Sequence, residues 1–225
     1  IARAKDGQKE IYYVSGTSRE AINLNPHLEI FRKKGLEVLY LFEPIDEFVM
    51  DTLGEYKEFK LTSVEHAELD TLGQHSDVSE NEARESLAEE DKPVLDKLVA
   101  RIKDILGERV TEVRVSERLS KSPVCLVNPD GGMTSSMDKI MRVLGKDSTP
   151  PRKVMEINPD HGLIRNLIKV FKSDEKDPHL ALVAEQLYES SLLMEGYLTD
   201  PHSMVERINS LLDSSTAWYT EIKKA

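Results

Sequence analysis

The chain has 225 residues, of which 39% are apolar and 32% are charged, a balance typical of globular proteins and not of collagen-like or wholly disordered chains. The net charge of −11 argues against nucleic acid as the main partner, and the sequence has no apolar run of the roughly 20 residues that cross a membrane. One cysteine, Cys125, excludes an internal disulfide and favours a reducing compartment.

The first part of the chain alternates patterns that are typical of strands and helices. Ser18 is a helix-capping residue, and Gly35 and Gly54 stand where helices would end. Strand–helix–strand–helix–strand in a segment this short predicts a small α/β unit with a parallel sheet and right-handed crossovers. The predicted elements are, in chain order, strand 11–14, helix 19–34, strand 37–42, helix 44–53 and strand 59–64.

An acidic segment follows this unit. Between Glu65 and Asp91 the sequence holds ten acidic residues and one basic residue. The middle of the segment, residues 73–86, contains almost no large apolar side chains, which is typical of a solvated linker. We therefore expect residues 1–72 and 87–225 to form two folded regions that this linker joins.

The second region begins with a helical pattern and continues with three strand-like runs. The first two of these runs are close enough in the sequence to pair antiparallel, which predicts a three-stranded antiparallel sheet. From Pro159 onwards the pattern is wholly helical, with a capping acid before a proline at Asp177 and again at Asp200. The predicted fold class is α/β followed by α+β with a C-terminal helical bundle. The elements before Pro159 are helix 94–106, strand 110–116, strand 123–128, helix 133–144 and strand 153–157.

The sequence contains no pattern that indicates catalytic, cofactor-binding or metal-binding residues. Neither of the common glycine-rich phosphate loops is present, and the six histidines show none of the spacings typical of metal ligands. The turn 16–18 could receive an anion at a helix N-terminus, but a capped strand-to-helix turn is the simpler interpretation. Cys125 lies within an apolar strand, which favours a buried and unreactive thiol.

The predicted helix 133–144 has a single apolar stripe that includes three of the chain's seven methionines. A helix packed on its own sheet would show the same pattern. Alternatively the stripe is exposed, since flexible methionine side chains can pack against many different partners. The stripe consists of Met133, Met137, Ile140, Met141 and Leu144.

The last two predicted helices carry more apolar surface than two helices can bury against each other. This surface is covered either by the rest of the same chain or by a second chain, and the pattern alone favours neither. The residues concerned are Leu180, Val183, Leu187, Met194 and Leu198 on the first helix and Met204, Val205, Ile208, Leu211 and Leu212 on the second.

Four stretches of the sequence are long enough to compare with known families. They are GQKEIYY, HLEIFRKKGLEVLYLFEPIDEF, LGERVTEVRVSERLSKSPVCLV and EINPDH, in that order. Together they resemble the 90-kDa heat-shock protein chaperone family, in its bacterial HtpG type. The resemblance runs from about Gly7 to Leu212 and is weakest in the linker 73–86. It implies that the chain holds the end of the family's middle domain and the whole of its C-terminal dimerisation domain.

The resemblance implies an ATP-dependent chaperone whose ATP-binding domain lies upstream of Ile1. ATP and magnesium would then belong to the full-length protein, and this fragment would be no ATPase and hold no cofactor of its own. The chain ends in WYTEIKKA, without the MEEVD tail that docks TPR co-chaperones in eukaryotic cytosolic members. We therefore expect no TPR partner and a location in the bacterial cytoplasm, with an organelle as the alternative.

The resemblance also implies functional residues. The family's client-binding surface corresponds to Phe48 in the first region and to Met133, Met137, Ile140 and Met141 in the second. Phe48 stands where bacterial relatives commonly have tryptophan. The last two helices would form a parallel homodimer through a four-helix bundle, using the ten residues named above for these helices.

Some alternatives stay open at this point. Phe48 would be a core residue if Ile45, Val49 and Leu53 formed a conventional buried helix face with it. The chain could also be a ligand-binding α/β enzyme fragment, or a pure dimerisation scaffold without affinity for unfolded proteins. The expected partners are a second copy of the chain and unfolded client proteins, with neither nucleic acid nor a membrane.

Overall fold

The computed structural model of the chain describes residues 1–78, 86–129, 132–145 and 151–223. The elements of the first region are β1 (Glu10–Ser15), α1 (Arg19–Asn23), α2 (Glu29–Lys34), β2 (Val38–Leu41), α3 (Pro44–Leu53), β3 (Glu55–Tyr56), β4 (Phe59–Ser63) and α4 (Leu69–Gly73). The sheet order is β2-β1-β4-β3. Strand β1 is parallel to both β2 and β4, as predicted. The short strand β3 was not predicted, and it pairs antiparallel with β4 at the sheet edge.

The single helix predicted for residues 19–34 is wrong, because the structure divides it into two helices. A 3₁₀ turn at Pro26–Leu28 separates α1 from α2. Proline has no backbone N–H to donate within a helix, and the Asn25 side chain instead accepts the N–H of His27. The predicted ends are confirmed: the Ser18 hydroxyl accepts the N–H of Ala21, and Gly35 ends α2 with a φ of +60°.

The second region contains a further sheet with helices packed on it. Its elements are α5 (Lys92–Leu106), β5 (Val110–Val115), β6 (Val124–Val127), α6 (Ser135–Gly145), β7 (Lys153–Ile157), α7 (Gly162–Ser173), α8 (Pro178–Glu195) and α9 (Pro201–Ile222). The acids before Pro178 and Pro201 cap their helices as predicted, since Asp177 and Asp200 accept the N–H groups of His179 and His202.

The predicted three-stranded antiparallel sheet is wrong in its pairing. The observed order is β5-β7-β6, and β7 pairs parallel with β5 and antiparallel with β6. Every residue of β7 is buried, whereas β5 has four exposed positions. Strand β6 is also buried along its whole length although it lies at the edge, so burial alone does not select the central strand. Because β7 pairs with both of the other strands, β5 and β6 are not neighbours although they are close in the sequence.

The main core lies between this second sheet and the helices α5, α7 and α8. It contains side chains that are essentially inaccessible to solvent, such as Leu98, Ile102, Met155 and Ile164. A smaller core around Tyr12 and Phe31 fills the first region. Helix α4 was not predicted either. The order of the other elements follows the sequence prediction, apart from the corrections above.

The acidic segment contacts both regions at its two ends. The Asp77 carboxylate pairs with Lys33 and Lys34 at the end of α2. On the other side, Leu87 is buried and its N–H donates to Asp160. Residues 79–85 lie outside the described residues, so the linker 73–86 and the boundary that it implies stay a prediction.

Candidate functional site

Helix α6, which carries the methionine stripe, is attached at its first turn to two glutamates of the first region. The Thr134 hydroxyl accepts the N–H of Met137, as a capping residue does, and donates to Glu47 Oε2 at 3.0 Å. The N–H and hydroxyl of Ser135 both donate to Glu65 Oε2, at 2.9 and 2.7 Å. The start of α6 is therefore fixed by side chains from α3 and from the segment after β4.

The second region holds the same turn of α6 from the other side. The Lys153 ammonium on β7 donates to the Ser135 hydroxyl at 2.6 Å and to Glu195 Oε2 at 2.5 Å. The Tyr197 hydroxyl lies 3.0 Å from the Ser135 carbonyl oxygen and 2.9 Å from Asp138 Oδ2. The bonds that Lys153 and Tyr197 make to Ser135 and Asp138 all use the polar side of α6, so this side faces the protein.

Burial controls the charges around this turn. It lowers the pKa of His27 to about 4, so this imidazole is neutral at pH 7. Burial also raises the pKa of Glu195 to about 7, against the opposing effect of the Lys153 ammonium. Burial also acts to raise the pKa of Glu65, but the interactions with His27 and the Lys153 ammonium and the Ser135 hydrogen bonds outweigh it and leave this pKa below the ordinary value.

The apolar side of α6 faces solvent. Met133 and Met141 are exposed, Val143 and Leu144 are 80% and 71% exposed, and Met137 and Ile140 are half-buried. A surface helix ordinarily turns its apolar stripe inwards. Because α6 is held through its polar side, the structure places the stripe at the surface and not on the chain's own sheet.

Helix α3 presents a second apolar face next to α6. Phe48 is 40% exposed, and Ile45, Val49 and Leu53 are each at least half exposed, so they do not form the buried face considered for Phe48. The neighbouring residue Glu47 is buried and provides the bond to α6. We refer to the exposed and half-buried apolar residues of α3, of α6 and of the turn before α6 together as the apolar surface; they are Ile45, Phe48, Val49, Leu53, Met133, Met137, Ile140, Met141, Val143 and Leu144.

A third glutamate, Glu29 at the start of α2, joins the two regions away from the apolar surface. Its carboxylate accepts the backbone N–H groups of Ser120, Lys121 and Ser122 at 2.5, 2.7 and 3.0 Å, and the Ser122 hydroxyl at 2.6 Å. Burial acts to raise the pKa of this carboxyl, but the hydrogen bonds outweigh burial and hold the pKa of Glu29 below its usual range. Glu29 could not be identified from the sequence, because an acid in the first turn of a helix is too common to indicate a contact.

The predicted dimer residues divide into three groups in the structure. Leu180, Val183 and Met204 are buried within the chain itself, and Leu187, Leu198, Ile208 and Leu211 are half-buried. Met194, Val205 and Leu212 are exposed. Tyr219, which the sequence analysis did not single out, is also exposed and continues the seven-residue spacing of Val205 and Leu212 along α9. The interface itself stays a prediction.

The remaining candidate residues have ordinary structural roles. Gly16 lies so close to Ile22 that an added Cβ would come within 2.5 Å of its Cγ1, so the turn 16–18 is a tight packing contact with a capping serine. Within the described ranges, no group of three His, Cys, Asp or Glu side chains could hold a metal ion. In the same residues, no helix has both the length and the apolar character to cross a bilayer.

Cys125 is buried on β6, and we expect its thiol to be unreactive in the folded protein. Burial, with the nearby Glu156 carboxylate, raises its pKa well above the ordinary value, which depletes the thiolate that attacks reagents. A chromogenic disulfide reagent should therefore label the native chain at least 100-fold more slowly than it labels glutathione. After denaturation, the chain and glutathione should be labelled at similar rates. Labelling of the native chain at the glutathione rate would contradict this placement.

Comparison with known proteins agrees with the four stretches quoted above. The model of the Hsp90 protein family matches residues 1–224, so the chain belongs to the Hsp90 family. Its relatives place it with the bacterial HtpG type and include the Chaperone protein HtpG of Oleidesulfovibrio alaskensis, which is 54% identical over 224 residues. The corresponding protein of Nitratidesulfovibrio vulgaris is 47% identical over 223 residues, and that of Geobacter sulfurreducens is 36% identical over 213 residues.

These relatives are much longer than the chain. The alignments cover 100%, 99% and 94% of this chain but only 35%, 35% and 32% of the three relatives. The chain therefore spans about a third of the length of the chaperones that it matches. The resemblance stated from the sequence is confirmed at the level of the family.

Proposed function

We propose that the chain is the client-binding and dimer-forming part of an ATP-dependent chaperone. The observation that carries this proposal is the orientation of α6, whose polar side is bonded to the protein and whose apolar side faces solvent. ATP and magnesium would act elsewhere in the full-length protein, in the bacterial cytoplasm. The part described here would hold unfolded segments of clients and keep two chains together.

The composition of the apolar surface suits many partners better than a single one. Exposed apolar patches of this kind usually mark an interaction site in a soluble protein. Methionine side chains are flexible and polarizable, so they adapt to differently shaped segments. Phe48 adds a rigid aromatic group from the neighbouring helix α3.

Aspartate at both Met137 and Met141 should weaken the binding of an unfolded protein by at least tenfold. Burying one methionine side chain in a complex contributes about 1.5–3 kcal/mol, and a tenfold change in affinity needs only about 1.4 kcal/mol. The dissociation constant of fluorescently labelled carboxymethylated α-lactalbumin can be measured by anisotropy. The melting temperature and the dimer mass should change little, because Met141 is exposed and Met137 is half-buried.

A matched control carries aspartate at Leu24 and Leu163. Both residues are exposed and belong to neither proposed surface, so this variant loses two exposed apolar side chains and gains the same two charges. It should bind the unfolded protein as the parent chain does. Equal loss of binding in both variants would show that net charge is responsible, and a strongly lowered melting temperature in the methionine variant would show that the stripe belongs to the core.

The same assay separates the other candidate functions. A pure dimerisation scaffold would form dimers but would not bind carboxymethylated α-lactalbumin at all. A ligand-binding enzyme fragment would be stabilised by its ligand through mass action, so a rise in melting temperature with added nucleotide, together with no client binding, would favour that function.

A further inference from the structure

Helix α6 also holds the turn that connects the two predicted dimer helices, α8 and α9. The α8 helix ends at Glu195 and is capped by Gly196, which has a φ of +76°. On one side of this residue, the carbonyl of Glu195 accepts the Lys139 ammonium of α6 at 3.0 Å. On the other side, the Tyr197 hydroxyl reaches the first turn of α6. The turn thus has two direct attachments to the helix that carries the methionine stripe.

The packing around Tyr197 makes this attachment rigid. Tyr197 is 6% exposed and Lys153 is 1% exposed. The Lys153 ammonium lies 5.0 Å from the centre of the Tyr197 ring, a cation–π contact that adds to its bonds with Ser135 and Glu195. Buried polar groups of this kind cost free energy when a partner is lost, so α6 and the turn should keep one relative arrangement.

The turn is also continuous with the predicted dimer interface. Met194, which precedes Glu195, is exposed, and Leu198, which follows Tyr197, is half-buried. A second chain that covers these residues would restrict the same turn whose inner side holds α6. Client binding to α6 and contact of a second chain with the turn would then affect the same bonded unit, which consists of α6 and the turn between α8 and α9.

We propose that Tyr197 is a positioning residue that couples client binding to dimerisation. This inference rests on the proposed function, since it requires that α6 binds clients and that α8 and α9 form the dimer. A helix of 11 residues such as α6 is only marginally stable alone. Dimerisation stabilises α6, because it restricts the turn that holds the first residues of this helix. Coupling between two sites is reciprocal, so a bound client strengthens the dimer by the same factor.

The test measures the dimer dissociation constant by analytical ultracentrifugation, with and without a saturating leucine-rich peptide. The peptide is too short to contact both chains, which removes any bridging effect. In the parent chain the peptide should lower the dimer dissociation constant by about fivefold or more, the lower end of typical couplings. In Tyr197→Phe this change should fall below about twofold, because the hydroxyl that reaches α6 is gone.

Tyr188→Phe is the matched control. Tyr188 is also a buried tyrosine, but its hydroxyl donates to the Arg109 carbonyl and does not contact α6. It should keep the full effect of the peptide. If Tyr197→Phe is poorly folded, Lys139→Gln removes the other attachment from a half-buried position and should reduce the effect in the same way.

The outcomes separate this inference from the proposed function. A parent chain that neither dimerises nor binds the peptide would contradict the proposed function itself. A chain that does both, with a dimer dissociation constant unchanged by the peptide, would overturn the coupling and leave the proposed function standing. Equal loss of the effect in Tyr188→Phe and Tyr197→Phe would overturn the positioning role of Tyr197.

Discussion

Aspartate at both Val205 and Leu212 should convert a dimer of this chain into monomers of 25.5 kDa. The two residues are exposed and seven positions apart on α9, so they lie on one face of the helix. In a symmetric dimer each substitution occurs twice, and four buried apolar side chains would be replaced by charges. We expect the dimer dissociation constant to rise at least about 1,000-fold, since this needs only about 4 kcal/mol.

The control for this variant carries aspartate at Ser203 and Ser210. Ser203 and Ser210 have the same spacing on the same helix and are also exposed, but their side chains are polar. The control therefore adds the same charges without removing apolar side chains. Light scattering after size-exclusion chromatography should give the dimer mass for the parent chain and this control, and the monomer mass for Val205→Asp with Leu212→Asp. A double variant that keeps the dimer mass would show that this face of α9 is not the interface.

Much of the fold could be predicted because it depends on local patterns. The parallel pairing of β1 with β2 and β4 follows from alternating strands and helices and from the handedness of crossovers. The pairing in the second sheet could not be predicted in this way. Strands β5 and β6 are consecutive and satisfy the local pattern for a hairpin, but β7, which follows them in the sequence, lies between them. This pairing joins residues that are distant in the sequence, so no local pattern contains it.

The apolar stripe of α6 could be predicted from its spacing, but the direction in which it faces could not. That direction depends on bonds to Glu47, Glu65, Lys153 and Tyr197, which lie far from α6 in the sequence. Periodicity shows that a helix has an apolar side, but it carries no information on which side is bonded to the protein. The family resemblance is therefore what pointed to an exposed stripe.

The predicted dimer residues on α8 and α9 are partly buried within the chain and partly exposed, and periodicity could not separate the two groups. A heptad-like seam has the same period whether it packs within one chain or between two chains. Leu180 and Val183 belong to the seam and lie in the chain's own core, whereas Val205 and Leu212 are free to meet a second copy. Only the three-dimensional packing separates these two groups.

Replacing Glu29 by glutamine should weaken the contact between the two regions and lower the stability of the first region by about 2 kcal/mol. Hydrogen bonds to a charged group contribute about 1.5–3 kcal/mol each, and glutamine keeps part of the set because one of its terminal atoms still accepts. The amide nitrogen cannot accept, so at least one backbone N–H in the segment 120–122 loses its partner.

Two probes can locate this loss during unfolding in urea. The only tryptophan, Trp218, lies on α9 and reports on the second region, whereas far-UV circular dichroism reports on both regions. In the parent chain the two transitions should coincide. In Glu29→Gln the circular dichroism should begin to change at lower urea than the tryptophan fluorescence, because the first region unfolds before the second.

The pH dependence of the difference in stability between the parent chain and Glu29→Gln tests whether the ionised Glu29 carboxylate causes this difference. Hydrogen bonds hold the pKa of Glu29 below its usual range in the folded chain, so the stability that this carboxylate provides is present above its unfolded pKa and is lost as the pH falls through the lowered value. The difference in the free energy of unfolding between the parent chain and Glu29→Gln should therefore shrink in acid.

Glu37→Gln is the control for this prediction. It removes a carboxylate whose ion pair with Arg3 is exposed, and it should change the stability by no more than a surface pair contributes. Coincident transitions and an unchanged midpoint in Glu29→Gln at neutral pH would contradict the role of Glu29 in joining the two regions.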